Sequence, residues 1–427
     1  MSNGNRRRQV RIVCPNARGN ETWTKIRAFA KSIRIDSLQI GPATIRFDPL
    51  APETDAFDSI VDKLRRAGSR TTEVFVVSAH NVDIVTLVDR IESEHECAGL
   101  GTPQRSPGGS GANTAFVLGA LGAETKVAGC VGRDEDGELL ISSLLAAGVD
   151  CELVVEQSDQ PTGHTLNLVG QDGKRLLVVY PAANDLFAER TDVDALIREC
   201  RNSKILHLSS FVDENSLSIQ SQLASIVCDA SVVSLVPGEL YARKGLDRLQ
   251  QLLQHVDLMF LYREQLEVMI DTSSARSFKT GSDAQSLLTT YFQWKEQRAL
   301  DRRQVIVIKE PLTGEGAFVG QRFLSVGSGS THLERFFYPR DLPAGVRIRV
   351  RDSTGVGDAA AAGFLFALLH ESSMEACIDS GFLTASFISS SLGARSAVQA
   401  TLEVIPSRPD DRQQALPTLS HRDPPES

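Results

Sequence analysis

Arg347-Ile348-Arg349-Val350-Arg351-Asp352-Ser353-Thr354-Gly355-Val356-Gly357-Asp358-Ala359-Ala360-Ala361-Ala362-Gly363-Phe364 is the stretch from which the rest of the chain can be read. The basic run before Asp352 reads as extended backbone, and the small and apolar residues after Asp358 have good helical propensity. A Thr-Gly-x-Gly-Asp turn therefore sits where a strand becomes a helix. Its glycines let the backbone approach a ligand closely. The N–H groups of the first helical turn, with the helix dipole behind them, form an anion site. Asp358 places a carboxylate where a negative ligand is expected. That is odd for phosphate binding alone and sensible for phosphoryl transfer, in which the N–H groups hold charge and the aspartate accepts a proton from the attacking hydroxyl. A capped helix after a glycine turn explains the pentapeptide equally well.

The composition narrows the class. A chain of 427 residues allows one large or two to three modest domains at about 150 residues each. Its 41% hydrophobic content supports a sizeable core, and a net charge of -9 argues against a nucleic-acid surface. Seven dispersed cysteines with no Cys-x-x-Cys pair read as reduced, mostly buried thiols of a cytoplasmic protein. No apolar run approaches the roughly 18 residues of a membrane span, and residues 1–10 lack the apolar segment of a secretion signal.

Residues 1–72 stand apart as an N-terminal extension of unknown role, with a strand at 10–13, helices near 23–30 and 56–64, and a strand at 44–47. From Glu73-Val74-Phe75-Val76-Val77 onward, strand and helix patterns alternate. Strands are expected at 126–132, 205–208, 232–236, 258–261, 305–309 and 316–319, with helices between them. Such alternation predicts an α/β fold of three layers, with a mostly parallel central sheet covered by helices on both faces. One segment, residues 162–184, breaks the rhythm. Two strand-like runs flank Gln171-Asp172-Gly173-Lys174, a hairpin turn. It predicts a small antiparallel flap. The tail at 405–427 is rich in proline and charge and reads as disordered.

A second glycine cluster, Gly108-Gly109-Ser110-Gly111-Ala112-Asn113, introduces a helix with Ala112, Phe116, Val117, Ala120 and Leu121 on one face. Open α/β sheets place ligands at the carboxyl ends of their strands, and both clusters fall at such positions. Gly108 and Gly109 can bring backbone against a polar ligand, and Asn113 can bond hydroxyls. Asn81 and Asp83, expected just after the first strand, add an amide and a carboxylate. Together these groups suit a polyol, whose hydroxyls each need a donor and an acceptor.

In that order and spacing, Asn81-x-Asp83, Gly108-Gly109-x-Gly111-Ala112-Asn113 and Asp352-x-Thr354-Gly355-x-Gly357-Asp358 resemble the ribokinase-like (PfkB) carbohydrate and nucleoside kinase family. Val131-Gly132-Arg133-Asp134-Glu135-Asp136-Gly137 and Gly393-Ala394-Arg395 fit as well. The resemblance spans residues 73–399 and implies a ribokinase-like domain at 73–404 with a β lid near 84–107 and 162–184. It implies an ATP-dependent phosphotransferase acting on an alcohol of a sugar or nucleoside. Asp358 would be the base, and Gly355, Val356 and Gly357 the anion hole. Asn81, Asp83, Gly108, Gly109 and Asn113 would bind the acceptor. Lys309, Gly314, Gly316 and Thr354 would face the nucleotide, although a solvated strand-end lysine explains Lys309 as well. Mg2+ is implied as the companion of ATP, and Asp352 would help hold K+. The exposed lid edge could pair two subunits into a homodimer.

The chain departs from the family at more than one place. The usual Asn-x-x-Glu reads Tyr262-Arg263-Glu264-Gln265 here, so Glu264, or Glu267 one turn on, is left as the candidate magnesium ligand. The aspartate expected before Pro237-Gly238 is Val236. These changes keep a second reading open, a catalytically impaired binding or regulatory protein on a kinase fold. There is no Gly-x-x-x-x-Gly-Lys-[Ser/Thr] loop, so phosphate binding is not of that kind. His80, His164 and His207 share no metal-ligand spacing.

Overall fold

The computed structural model describes residues 37–40, 43–46, 55–92, 96–171, 175–273, 284–309, 324–329, 335–337, 354–389 and 393–395. The expected strand at 10–13, helix at 23–30, strand at 316–319 and tail at 405–427 lie outside them.

The described chain starts with a two-stranded antiparallel pair, β1 (Ser37–Ile40) and β2 (Ala43–Arg46), followed by helix α1 (Asp55–Arg66). Strand β3 (Thr72–Val77) opens the main sheet. Two lid strands, β4 (Asn81–Val88) and β5 (Gln104–Gly108), come next, then α2 (Ser110–Leu121), β6 (Thr125–Gly132), α3 (Glu135–Ala146) and β7 (Asp150–Gln157). The lid is completed by β8 (Gly163–Gly170) and β9 (Arg175–Tyr180). After α4 (Phe187–Arg190) and α5 (Val193–Asn202) the main sheet resumes. Its further elements are β10 (Ser203–Ser209), α6 (Glu214–Val227), β11 (Val232–Val236), α7 (Gly238–Ala242), α8 (Gly245–Leu253), β12 (Leu258–Tyr262), α9 (Arg263–Ser273), α10 (Ala284–Gln297) and β13 (Gln304–Lys309). Strands β14 (Leu324–Gly329) and β15 (Arg335–Phe337) precede the last helices, α11 (Val356–Leu369) and α12 (Met374–Ser389).

The main sheet runs β15-β14-β13-β12-β11-β10-β3-β6-β7. Its seven strands from β13 to β7 are parallel, and β14 and β15 join antiparallel at one edge. The strands are apolar on both faces because helices cover both. Alternation sorts the side chains. Val74, Val76, Val305 and Val307 join one core with α1, α2, α11 and α12, whereas Phe75, Val77, Ile306 and Ile308 join the other with α5, α6, α8, α9 and α10. The three-layer expectation is met. Strands β1, β7, β14 and β15 had no counterpart in the sequence reading.

Helix α2 differs from the one-faced pattern expected of it, and α11 shares its burial. Residues 111–121 of α2 are buried on every side, and α11 is buried from Val356 to Leu368 apart from a partial opening at Asp358. Each lies between the sheet and other helices, so neither has a solvent face to keep polar. Helix α1, assigned by sequence to the extension, buries Ala56, Phe57, Ile60, Val61 and Leu64 in the same core as the sheet. Its Lys63 donates to Asp257 Oδ1 at 2.5 Å and to the Cys228 carbonyl at 2.6 Å. No described helix is long and apolar enough to cross a membrane.

The chain order sets the position of the cleft. After β3 the sheet grows outward through β6 and β7, then returns to the other side of β3 with β10. This reversal between β3 and β10 is a topological switch point, where ligands of open α/β sheets bind. The lid, in the order β5-β4-β8-β9, lines the cleft at that point with residues of β4, β8 and β9.

Candidate active site

Two helix starts meet at the switch point, and neither is capped by a side chain. Helix α2 begins after Gly109, whose φ of 91° suits glycine, and α11 begins after Gly355, at φ 73°. Ordinary helix starts use a Ser, Thr, Asp or Asn oxygen to satisfy their first N–H groups. Here no side chain takes those donors. A Cβ on Gly355 would lie 2.3 Å from Ala394 Cβ, and one on Gly109 would lie 2.7 Å from the Ala79 carbonyl. The turns are therefore as tight as the glycines allow.

Asp358 sits in the first turn of α11 and is held from α2. Ser110 Oγ donates to its Oδ1 at 2.6 Å, and Asn113 Nδ2 donates to its Oδ2 at 3.0 Å. Protein atoms crowd the carboxylate, yet it keeps an opening to the cleft. Burial raises its pKa above the ordinary aspartate value, against the pull of Ser110, Lys309, Asn113 and Arg395. A carboxylate poised this way is a better proton acceptor than a solvated one.

Asn113 is itself held in place. Arg395 is 6% exposed; its Nε donates to Asn113 Oδ1 at 3.0 Å and its Nη2 donates to the Gly108 carbonyl. With the oxygen engaged, the amide nitrogen must face Asp358. Sequence had placed Arg395 only as part of a fitting tripeptide; its role as a brace depends on contacts 282 residues apart.

The acceptor side is built from the lid. Asn81 and Asp83, expected just after the first strand, lie there in β4, paired with Gly108 and Ser106 of β5 and with Gly163 and Thr165 of β8. Thr165 Oγ1 donates to Asp83 Oδ1 at 2.6 Å. A Cβ on Gly108 would meet Asp83 Oδ2 at 2.2 Å, so that close approach needs glycine. Asn184 joins the lid to the sheet, its Nδ2 donating to Asn81 Oδ1 at 3.0 Å and to the His80 carbonyl at 2.9 Å. A cleft of about 910 Å³ opens here, lined by Asn81, Asp83, Gly109, Asn113, Thr354, Gly355 and Asp358. Thus residues expected to hold the acceptor, the expected base Asp358 and Gly355 of the expected anion hole share one space. Among the described lining residues, Asp83, Asp358 and Glu239 stand against one cation, Arg243, which is paired to Glu239 at 2.8 Å.

On the far side of Gly357 stands Lys309, the last residue of β13. It is 3% exposed, which removes the solvated reading. Its Nζ donates to the Gly357 carbonyl at 3.3 Å and lies 4.8 Å from the centre of the Tyr262 ring. Burial lowers its pKa from the ordinary 10.5 to about 8, with Asp358 opposing the shift. Gly314, Gly316 and Asp352 lie outside the described residues.

The uncapped start of α11 fits a phosphate, because free N–H groups and a positive dipole end face the cleft. The Tyr262 region does not fit a metal in the same way. Glu264 forms an ion pair with Arg263 at 2.7 Å, is half-exposed, and is not among the described residues that line the cleft. Gln265 Oε1 accepts from the Tyr262 N–H at 2.9 Å. Among the described residues no three His, Cys, Asp or Glu side chains form a metal cluster.

The profile of the pfkB family carbohydrate kinases matches residues 71–401. The chain belongs to the pfkB family of carbohydrate kinases. An uncharacterised sugar kinase of Archaeoglobus fulgidus is 27% identical over 290 residues, 67% of this chain and 99% of its own length. The structure of Arabidopsis thaliana ribokinase complexed with ribose and ATP matches at a TM-score of 0.58 and 22% identity, covering 77% of this pfkB chain and 95% of that one. Adenosine kinase from Sinorhizobium meliloti matches at a TM-score of 0.58 and 19% identity, over 77% and 98%. The expectation of a carbohydrate or nucleoside kinase on a three-layer fold stands.

Proposed function

We propose that this pfkB kinase transfers the γ-phosphoryl group of ATP to a hydroxymethyl-type alcohol of a sugar or nucleoside. One observation carries the reading: two uncapped helix starts converge on a single cleft, with the Asp358 carboxylate between them. In this reading Asn81, Asp83, Gly108, Gly109 and Asn113 hold the acceptor's hydroxyls. Asp358 accepts the proton of the attacking hydroxyl. The N–H groups following Gly355, at Val356, Gly357 and Asp358, face the transferred group. Thr354, Lys309, Gly314 and Gly316 belong to the nucleotide side. Closing the lid over the cleft excludes water, so that phosphoryl transfer outcompetes hydrolysis.

Mg2+, placed on the nucleotide phosphates rather than on Glu264, supplies charge neutralisation when bound. Asp352 is assigned to K+. We further place the protein in the cytoplasm, with a small-molecule acceptor and neither nucleic acid nor membrane as partner. A second copy can add to the lid edge at β5 or β9. The domain reading keeps residues 73–404 as the kinase, 1–72 as an extension and 405–427 as a tail.

The test is ADP release from Mg-ATP with pooled pentoses, hexoses, sugar phosphates and nucleosides, for wild type and Asp358→Asn. Acceptor-dependent release, reduced about 10²- to 10⁴-fold in the variant, is the expected result. A folded variant that turns over like wild type would remove Asp358 from the mechanism.

A further inference from the structure

Lys309 and Tyr262 come from neighbouring parallel strands, in register at the ends of β13 and β12. Both tips converge on one glycine: a Cβ on Gly357 would lie 2.8 Å from Lys309 Nζ and 3.0 Å from Tyr262 Oη. The ammonium makes no salt bridge among the described residues; its contacts are the Gly357 carbonyl and the Tyr262 ring. A buried, unpaired ammonium is costly, so its retention beside a charge-transferring site calls for a use. The carbonyl it bonds belongs to the same peptide unit as the Asp358 N–H, one of the uncapped donors of α11. A charged donor on the carbonyl side polarises that peptide and strengthens its N–H as a donor.

We propose that Lys309, seated by the Tyr262 ring, is a positioning cation behind the phosphoryl hole. It acts through the Gly357–Asp358 peptide and gives the protein its own grip on the γ-phosphoryl group, independent of a metal. The inference rests on the kinase reading above and deepens it. It also gives Tyr262 a purpose. The ring offers a cationic head a face to sit on, and its backbone N–H is closed off by Gln265.

The test compares equilibrium binding of ATP and ADP in EDTA by titration calorimetry, because the two ligands differ only in the group that the hole holds. Wild type should prefer ATP by about tenfold, and Lys309→Met should abolish that preference, since a hole donor contributes about 10² in kcat when it acts in full. In turnover, kcat should fall about tenfold or more while the acceptor KM stays within about threefold, the signature of a contact made in the transition state. Tyr262→Leu keeps the lysine and removes its seat, so it should show a smaller loss of the same kind; it decides the matter if Lys309→Met does not fold. ATP preference and kcat that persist in a folded Lys309→Met or Tyr262→Leu protein overturn the proposal. So does a wild type that binds the two nucleotides equally. The kinase reading is judged separately, from acceptor-dependent ADP release by the wild type.

Discussion

Replacing Arg395 with methionine keeps much of the side-chain volume and removes every donor. Two buried acceptors, Asn113 Oδ1 and the Gly108 carbonyl, lose their partner. At about 1–3 kcal/mol for each orphaned acceptor, the gross loss is about 2–6 kcal/mol. Against it stands the cost of burying the guanidinium, whose pKa burial lowers from the ordinary 12.5 to about 10. A cation with a depressed folded pKa costs stability wherever it is charged, so the relief holds throughout the neutral range. At about 1.4 kcal/mol per pKa unit it amounts to about 3 kcal/mol. Folding should therefore change by between about 1 kcal/mol of gain and 3 kcal/mol of loss, or about 10 °C in Tm at most. Catalysis should suffer more. Once its oxygen is released, the Asn113 amide can rotate away from Asp358, and misplacement by about 1 Å costs on the order of 10² in rate. Removing the charge also lets the Asp358 pKa rise further, so the acid limb of kcat should move to higher pH. The assay is thermal melting beside ADP release as a function of pH. A folded variant whose kcat/KM stays within about threefold, with its acid limb unmoved, would show that Arg395 only fills space.

Three other outcomes follow from the same geometry. Because burial raises the Asp358 pKa and the ionised form is the base, activity should be lost on acidification above the ordinary aspartate range of about 3.9. Ser110→Ala removes a hydrogen bond that favours ionisation and should push this limb higher; a pH–kcat profile that does not move counters the assignment. Gly355→Ala places Cβ in the left-handed region, at about 1–2 kcal/mol, and against Ala394. A lower denaturation midpoint and weaker ATP binding are expected, and an unchanged midpoint would contradict the turn geometry. Lys63→Met leaves the buried Asp257 with Arg302, at 3.2 Å, as its remaining ion-pair partner among the described residues. Because half of a buried pair is lost, about 3 kcal/mol should disappear in urea denaturation, with turnover retained at low temperature. A loss below about 1 kcal/mol would mean that α1 is held by its apolar face alone.

Much of the site was legible because its signals are local. Gly355 and Gly109 each adopt a conformation that glycine favours, so the turns announce themselves in the sequence. Asn113 and Asp358 lie in the first turn of their helices, where a fixed spacing from those glycines is enough to place them. Arg395 and Lys309 were harder to read. An arginine near the end of a chain and a lysine at a strand end are usually solvated, and only burial under distant segments makes either one a brace. Asn81 and Asp83 were identified as acceptor candidates, but the strand that carries them was not, because eight lid residues with mixed polarity do not show which face is covered. The lid strand β5, with Pro107 and Gly108 in it, carries poor strand propensity and forms by pairing with β4.

The sequence alone determined the alternation of strands and helices, and with it a parallel sheet covered on two faces. It also determined the two glycine turns, because a positive φ is a property of single residues. Tertiary structure decided what those turns face. The return of the chain from β7 to β10 creates the switch point, and the packing of α2 against α11 brings Ser110 and Asn113 to Asp358 across about 245 residues of chain. Burial, which makes an arginine an anchor and shifts the pKa of a lysine and an aspartate, belongs to the assembled molecule. Desolvation depends on every neighbour at once, and no short window of sequence contains them.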